Sequence, residues 1–210
     1  PPPLTRDDLK TTMRKLHRVG ITSIRVPGNP NPDREWALWK ELKASGELDM
    51  RVNFLFRIYD FSDPAKVRAL VEGWKVSPDE GDEWLRVGGI KTLIDGGFEG
   101  GWMREPYLEP LGRGGTYRGI NVVPQRLYLP VITELNRMDW RVTTHAVGDA
   151  AIDMVLDSYE KVNADKSIVG RRSASVANVL SSSVMSLTSQ SIRKSLPSSS
   201  ASGRTRFSSA

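Results

Sequence analysis

Two residues whose side chains could take part in catalysis lie among apolar residues. They are Lys91, in GGIKTLIDGG (88–97), and His145, in TTHAVGDAAIDMVLD (143–157). Lysine is almost never fully buried without a partner. Neutral imidazole is the commonest protein ligand for metal ions. Lys91 therefore indicates either an active-site lysine or a structural Lys91–Asp95 ion pair. His145 indicates either a metal ligand or a packed structural histidine.

Strands and helices alternate along the first three quarters of the chain. Hydrophobic periodicity predicts strands at 21–26, 51–59, 85–95 and 140–146, and helices at 5–18, 33–45, 64–74, 124–138 and 149–162. Four successive strand–helix units favour an α/β fold with a parallel sheet. No GxGxxG motif follows the first strand. We therefore expect an incomplete (β/α)8 TIM-type barrel of about four units rather than a doubly wound open sheet.

A long glycine-rich loop, residues 96–117, follows the third predicted strand. Barrel enzymes place their catalytic groups at the carboxyl ends of the strands and in the loops that follow. We expect Trp102, Arg104 and Tyr107 of this loop to bind substrate, and Arg104 to suit a substrate carboxylate. A surface loop whose Trp102 packs on the barrel rim is an equal alternative.

The composition restricts the class of protein. The chain has no cysteine, which excludes disulfides and cysteine-bound metal. No apolar run reaches the roughly 18 residues that a membrane span needs. No signal peptide is visible, so we expect a cytoplasmic protein without a membrane partner. The body shows no basic stripe interleaved with aromatic residues, which argues against specific binding of nucleic acid.

The charge and the composition change abruptly near Arg171. Residues 1–170 carry 24 basic and 25 acidic residues, whereas residues 171–210 carry 6 basic residues, no acidic residue and 15 serines. Such sequence buries too little apolar surface to fold. We therefore expect a domain at 1–170, followed at 171–210 by a Ser-rich basic tail that is disordered or translated out of frame.

Five stretches in this order and spacing resemble the amidohydrolase superfamily, from about residue 5 to Arg172. They are most similar to the amidohydrolase family 3 branch, which includes N-substituted formamide deformylases. The matching stretches are LHRVGITSIR (16–25), RVNFLFRI (51–58), GGIKTLIDGG (88–97), REPY (104–107) and THAVGDAAIDMVLDSYE (144–160).

The resemblance implies a hydrolase of C–N bonds other than peptide bonds, acting on a small-molecule amide. Its cofactor would be one or two divalent metal ions, expected to be zinc, which activate water. Lys91, carbamylated by CO2, and His145 would be the metal ligands on the fourth and fifth strands of the family. Asp95 and Asp149 would support the site by hydrogen bonds, or cap a helix.

The sequence also departs from the family pattern. It contains no HxH motif, no histidine after His145 and no acidic residue after Asp165. Catalytic metal sites typically use three or more protein ligands. We therefore expect this chain to be a truncated, poorly folded and inactive fragment. Two alternatives stay open: a non-catalytic chain whose basic tail binds a partner or a polyanion, and an open-sheet domain that binds a small ligand at Gly96–Gly101.

Overall fold

The computed structural model describes residues 3–28 and 31–169, and the backbone of residues 174–176. All of these residues belong to one compact unit, Pro1–Asn178. They form a parallel sheet in which the spatial order of the strands is β1-β2-β3-β4-β5. The sheet curls into part of a barrel, which confirms the predicted α/β fold and the incomplete TIM-type barrel.

Every predicted helix and strand is present, with ends that differ by a few residues. The helices are α1 (Arg6–His17), α2 (Pro32–Ala44), α3 (Pro64–Gly73), α4 (Gln125–Arg137) and α5 (Asp149–Asp165). The strands are β1 (Ser23–Val26), β2 (Arg51–Arg57), β3 (Leu85–Leu93), β4 (Val142–His145) and β5 (Ala174–Val176). Four strands are shorter than predicted, because their terminal residues leave the ladder to enter the connecting loops.

Local signals explain where the first helices begin. Thr5 caps α1, and its side chain and that of Asp8 satisfy each other's backbone amides in a capping box. Asp63 caps α3 by accepting a hydrogen bond from the Ala65 amide at 2.8 Å, and Pro64 follows at the first helical position. Both starts were predicted from the sequence to within one residue.

One face of the sheet, here called the outward face, packs against the helices. On β2 it consists of the buried side chains at alternate positions Val52, Phe54 and Phe56. The ring of Trp36 on α2 lies 5.6 Å from Phe54 and 6.0 Å from Phe56. Burial of these large apolar groups is the main source of stability for the unit.

The opposite face, here called the inward face, lines the concave side of the half-barrel. The parallel register places Arg57 beside Lys91, Lys91 beside Thr143, and Leu93 beside His145. Successive side chains on a strand point to opposite faces, so these residues lie opposite the helix-packed core. The inward face therefore carries the residues with catalytic chemistry.

A β-bulge in β3 decides which face Lys91 occupies. The register between β2 and β3 shifts at Phe54/Leu55, opposite Gly88 and Gly89. Gly89 has φ +124°, and a Cβ there would lie 2.5 Å from the Arg141 carbonyl oxygen. Counting by twos from the outward-facing Leu85 would place Lys91 outward, and the one extra residue reverses that alternation.

The C-terminal strand falls within the segment that was predicted to be a tail. Residues 174–176 form β5 and pair with β4, three residues after the expected boundary. The other residues of 171–210 lie outside the described part of the chain. The alternative function, in which the tail binds a partner or a polyanion, therefore stays a prediction. The domain boundary at 170 stays a prediction. Within the described residues, no helix has the length and apolarity that crossing a bilayer requires.

Candidate functional site

Lys91 and His145 lie on neighbouring strands, both on the inward face and both buried. Lys91 is 8% exposed and His145 is 7% exposed. His145 is two residues further along β4 than Thr143, the register partner of Lys91. The spacing of residues along and between strands therefore separates the two Cα atoms by about 8 Å. This separation allows a long lysine side chain and an imidazole to reach one common point.

No carboxylate of the described residues pairs with the Lys91 ammonium. The side chain of Lys91 forms no hydrogen bond or ion pair with the described residues, and the alternative Lys91–Asp95 ion pair is absent there. Burial, followed by the nearby positive charges of Arg57 and Arg25, lowers the pKa of Lys91 to about 8. A substantial fraction of the side chain is therefore the neutral amine just above neutral pH, and a neutral amine is the form that reacts with electrophiles.

His145 contacts the backbone and one carboxylate. Its Nε2 lies 2.9 Å from the Gly96 carbonyl oxygen and 3.8 Å from Oδ1 of Asp95. The ring therefore faces the first residues of the loop that follows β3. This position, at the carboxyl end of β4, is where the sequence placed it.

Asp95 joins the β3 loop to the turn between β4 and α5. Its carboxylate is fully buried and accepts hydrogen bonds from the amides of Trp102 at 3.0 Å, Val147 at 3.0 Å and Gly148 at 2.8 Å. A carboxylate that accepts several backbone hydrogen bonds is stable without a cation. Asp95 therefore ties the β3 loop to the β4–α5 turn through these bonds, and its role in supporting a metal site stays a prediction.

Asp149 is the first residue of α5, and Gly148 occupies the N-cap position. Of the two roles predicted for Asp149, the N-cap position is therefore taken by Gly148, and the supporting hydrogen bond stays a prediction. Its Oδ1 accepts hydrogen bonds from the amides of Ala150 and Arg104, both at 2.8 Å, and so ties the loop to the helix. Gly148 is required by close contact: a Cβ there would lie 1.9 Å from the Trp102 carbonyl oxygen.

The three loop residues assigned to substrate binding make contacts within the protein. The Arg104 guanidinium is paired with Asp153, with Nε 2.6 Å from Oδ2, and lies 3.9 Å from Asp149. The Tyr107 hydroxyl donates to the carbonyl of Gly101 at 2.8 Å or of Phe98 at 3.0 Å, and burial is the main cause that raises its pKa. Arg104 in particular is already neutralised by carboxylates of this chain.

A cavity of about 350 Å³ lies between this loop and α5. Neither Lys91 nor His145 lines it. The lining residues are Trp102, Arg104, Asn121, Gln125, Ala150, Asp153, Met154 and Asp157. The predicted metal ligands and two of the predicted substrate-binding residues therefore lie at different places in the described part of the chain.

The described residues do not form a complete metal site. Among them there is no group of three or more histidine, aspartate or glutamate side chains arranged to hold an ion. The next strand, β5, has the sequence Ala174-Ser175-Val176, without a histidine or a carboxylate beside His145. Lys91 and His145 thus supply at most two ligands.

The sequence analysis did not single out Arg25 and Arg57, which accompany Lys91. Both arginines lie at inward positions of their strands, and Arg57 is the register partner of Lys91. The signal was present in RVNFLFRI, residues 51–58, where Arg57 interrupts a strand otherwise rich in apolar residues. Such a charged residue at an inner strand position needs an explanation.

Two solved structures are similar to this chain in fold. It is 24% identical to an uncharacterized metal-dependent hydrolase from Pyrococcus furiosus, with a TM-score of 0.59, covering 76% of this chain and 32% of that one. A second such protein, from Pyrococcus horikoshii, is 21% identical with the same TM-score and coverage. These two likenesses concern the fold.

Comparison of sequences gives the family of the chain. The chain is 33% identical over 84 residues to Protein LONG AFTER FAR-RED 3 of Arabidopsis thaliana, covering 39% of this chain and 14% of that protein. It therefore matches only a minor part of each relative. The model of the amidohydrolase family, Amidohydro_3, matches residues 3–195, which is most of the chain. The chain therefore belongs to the amidohydrolase family.

Proposed function

We propose that this chain is part of a metal-dependent hydrolase that cleaves C–N bonds other than peptide bonds in small-molecule amides. Family membership supports a hydrolase. The observation that carries the proposal is the pair formed by Lys91 and His145, buried on adjacent strands at the concave side of the sheet. A buried lysine without an anionic neighbour is costly unless it has a function.

The finer assignment extends the same pair. Lys91, carbamylated by CO2, and His145 would be ligands of a divalent ion, which we propose to be zinc. The enzyme would be of the N-substituted formamide deformylase type. Such an ion, when bound, polarises an amide carbonyl and lowers the pKa of water. The contribution of this chain is positional: Asp95 holds the loop and the β4–α5 turn beside His145.

The described residues supply too few ligands for a catalytic ion. We propose accordingly that this chain by itself does not hydrolyse amides. Zinc content after equilibration with zinc and dialysis measures this directly, and we expect far less than one ion per chain. Near-stoichiometric zinc in a monodisperse sample would contradict it.

Carbamylation of Lys91 is testable without a metal. The full chain is equilibrated with ¹³C-labelled bicarbonate, and carbamate carbon is observed by NMR. We expect a carbamate signal that is absent in Lys91→Met and retained in Lys40→Met, which changes an exposed lysine on α2. Equal signals in the two variants, or none in the unmodified chain, would exclude Lys91 as a carbamylated ligand.

A further inference from the structure

The inward face holds three cations, of which Lys91 is buried, Arg57 half-buried and Arg25 exposed. Neither Arg25, Arg57 nor Lys91 forms an ion pair with a carboxylate among the described residues. Nε of Arg57 is buried and has no hydrogen-bond partner there. The carboxylate nearest to this face, Asp95, is already committed to three backbone amides.

The rest of the chain has no acidic side chain to offer. All Asp and Glu residues lie between Asp7 and Asp165, within the described ranges, and residues 170–210 contain none. A carbamate on Lys91 would contribute one negative charge against the two positive charges of Arg25 and Arg57. At least one arginine charge on this face is therefore left for an anion from outside the chain.

The donors of Arg57 are held in place for such an anion. The guanidinium carbon lies 4.7 Å from the centre of the Tyr59 ring, a cation–π contact that restricts the side chain without using its N–H groups. A guanidinium offers a planar fork of donors that matches a carboxylate with two parallel hydrogen bonds. Arg104, the alternative carboxylate binder, is instead neutralised by Asp153.

We propose that Arg57, assisted by Arg25, binds the carboxylate group of a small-molecule substrate on the inward face beside Lys91. This inference rests on the proposed function, which it narrows from amides in general to amides that also carry a carboxylate. The carboxylate would hold the substrate on β1 and β2, with its amide directed toward Lys91 and His145 on β3 and β4.

Binding of two matched probes tests the proposal. N-acetylglycine carries an amide and a carboxylate, and N-acetylglycinamide is its neutral counterpart. We expect the full chain to bind N-acetylglycine at least about tenfold more tightly than the neutral probe, by calorimetry or NMR titration, because a charge-assisted pair of hydrogen bonds is lost. Binding of inorganic phosphate as tight as that of N-acetylglycine would overturn the assignment to a carboxylate.

Variants locate the site. Arg57→Gln is expected to weaken N-acetylglycine binding about tenfold or more, whereas Arg126→Gln, which changes an exposed arginine on α4, leaves it unchanged. Equal binding in these two variants would overturn the proposal. Arg57→Lys serves if Arg57→Gln does not fold by circular dichroism, and is expected to bind more weakly because it lacks the fork.

The binding experiment needs neither metal nor turnover, so its failure differs from failure of the proposed function. If no Lys91 carbamate signal is seen but binding of N-acetylglycine depends on Arg57, the proposal of Lys91 as a metal ligand fails and that of the carboxylate site stands. A Lys91 carbamate signal without selective binding of N-acetylglycine would remove the carboxylate site alone.

Discussion

The two faces of the sheet differ in whether their polar and charged side chains find partners among the described residues. On the outward face, the Thr92 hydroxyl donates to Thr144 at 2.8 Å, and Thr144 also lies 2.6 Å from the Tyr128 hydroxyl. Tyr159 on α5 completes this buried network at 2.9 Å from Thr144, and burial raises its pKa to about 12. These hydroxyls find partners among the strands and helices of the same chain.

The charged side chains of the inward face have no such partners among the described residues. Arg25, Arg57 and Lys91 come from three adjacent strands and repel one another, and no carboxylate of the chain pairs with them within the described ranges. Lys91 is buried, Arg57 is half-buried and Arg25 is exposed, so the cost of burying a charge without a partner falls mainly on Lys91. The difference teaches that the polar groups of the outward face serve stability, whereas the three inward cations are balanced by no carboxylate of the described residues.

The sharpest way to break this comparison is to truncate one side chain on each face. Phe54→Ala removes a fully buried ring that contacts Trp36 and Phe56, and should lower the free energy of unfolding by about 3–5 kcal/mol. Arg57→Ala on the same strand should change it by less than about 1 kcal/mol, because the variant also relieves repulsion with Lys91. Urea unfolding measures both, and similar losses would refute the division between faces.

The next largest effect concerns Asp95, the one inward carboxylate with internal partners. Asp95→Asn replaces an acceptor oxygen by an NH₂ group that faces backbone donors, and should cost about 3 kcal/mol. Amide hydrogen exchange at Trp102, Val147 and Gly148 should accelerate, because their acceptor is Asp95. Asp153→Asn, which alters an exposed pair with Arg104, is the control and should cost under about 1 kcal/mol. Unchanged exchange at the three amides would argue against the proposed support.

Gly148 tests how closely the loop approaches the β4–α5 turn. Its φ of −73° suits any residue, so Gly148→Ala isolates the clash with the Trp102 carbonyl. The expected loss is about 2 kcal/mol from overpacking. At Gly97, in the same loop, a Cβ would meet no atom within 4 Å, so Gly97→Ala should unfold at nearly the original urea concentration. Equal midpoints for the two variants would show that the loop lies further from the turn.

The smallest expected effect is a pH dependence caused by Lys91. Its pKa falls from 10.5 to about 8 in the folded state, so the unfolded chain binds more protons between these two values. Stability therefore rises with pH across this interval, by about 1–2 kcal/mol once relaxation of the protein around the charge is allowed for. Lys91→Met should lack this contribution. Unfolding at pH 7.5 and pH 10.5 measures it, and equal pH dependence in both proteins would show that Lys91 is not buried beside Arg57 and Arg25.

The sequence analysis located the elements well and the side-chain partners poorly. Periodicity and capping signals predicted the α/β alternation because they depend on neighbours within a few residues. The assignment of Arg104 to substrate binding stays a prediction, although its guanidinium pairs with Asp153 on a helix 49 residues away along the chain. Periodicity carries no information about such distant partners.

By itself, the sequence determined the element order, the fold class, the family resemblance and the absence of acidic residues after Asp165. Only the tertiary structure decided which groups meet. The bulge at Gly88 and Gly89 turns Lys91 inward, and the parallel register places Arg57 beside it. Both are consequences of pairing between strands far apart in the chain, and a one-residue change in register moves every later side chain of a strand to the other face.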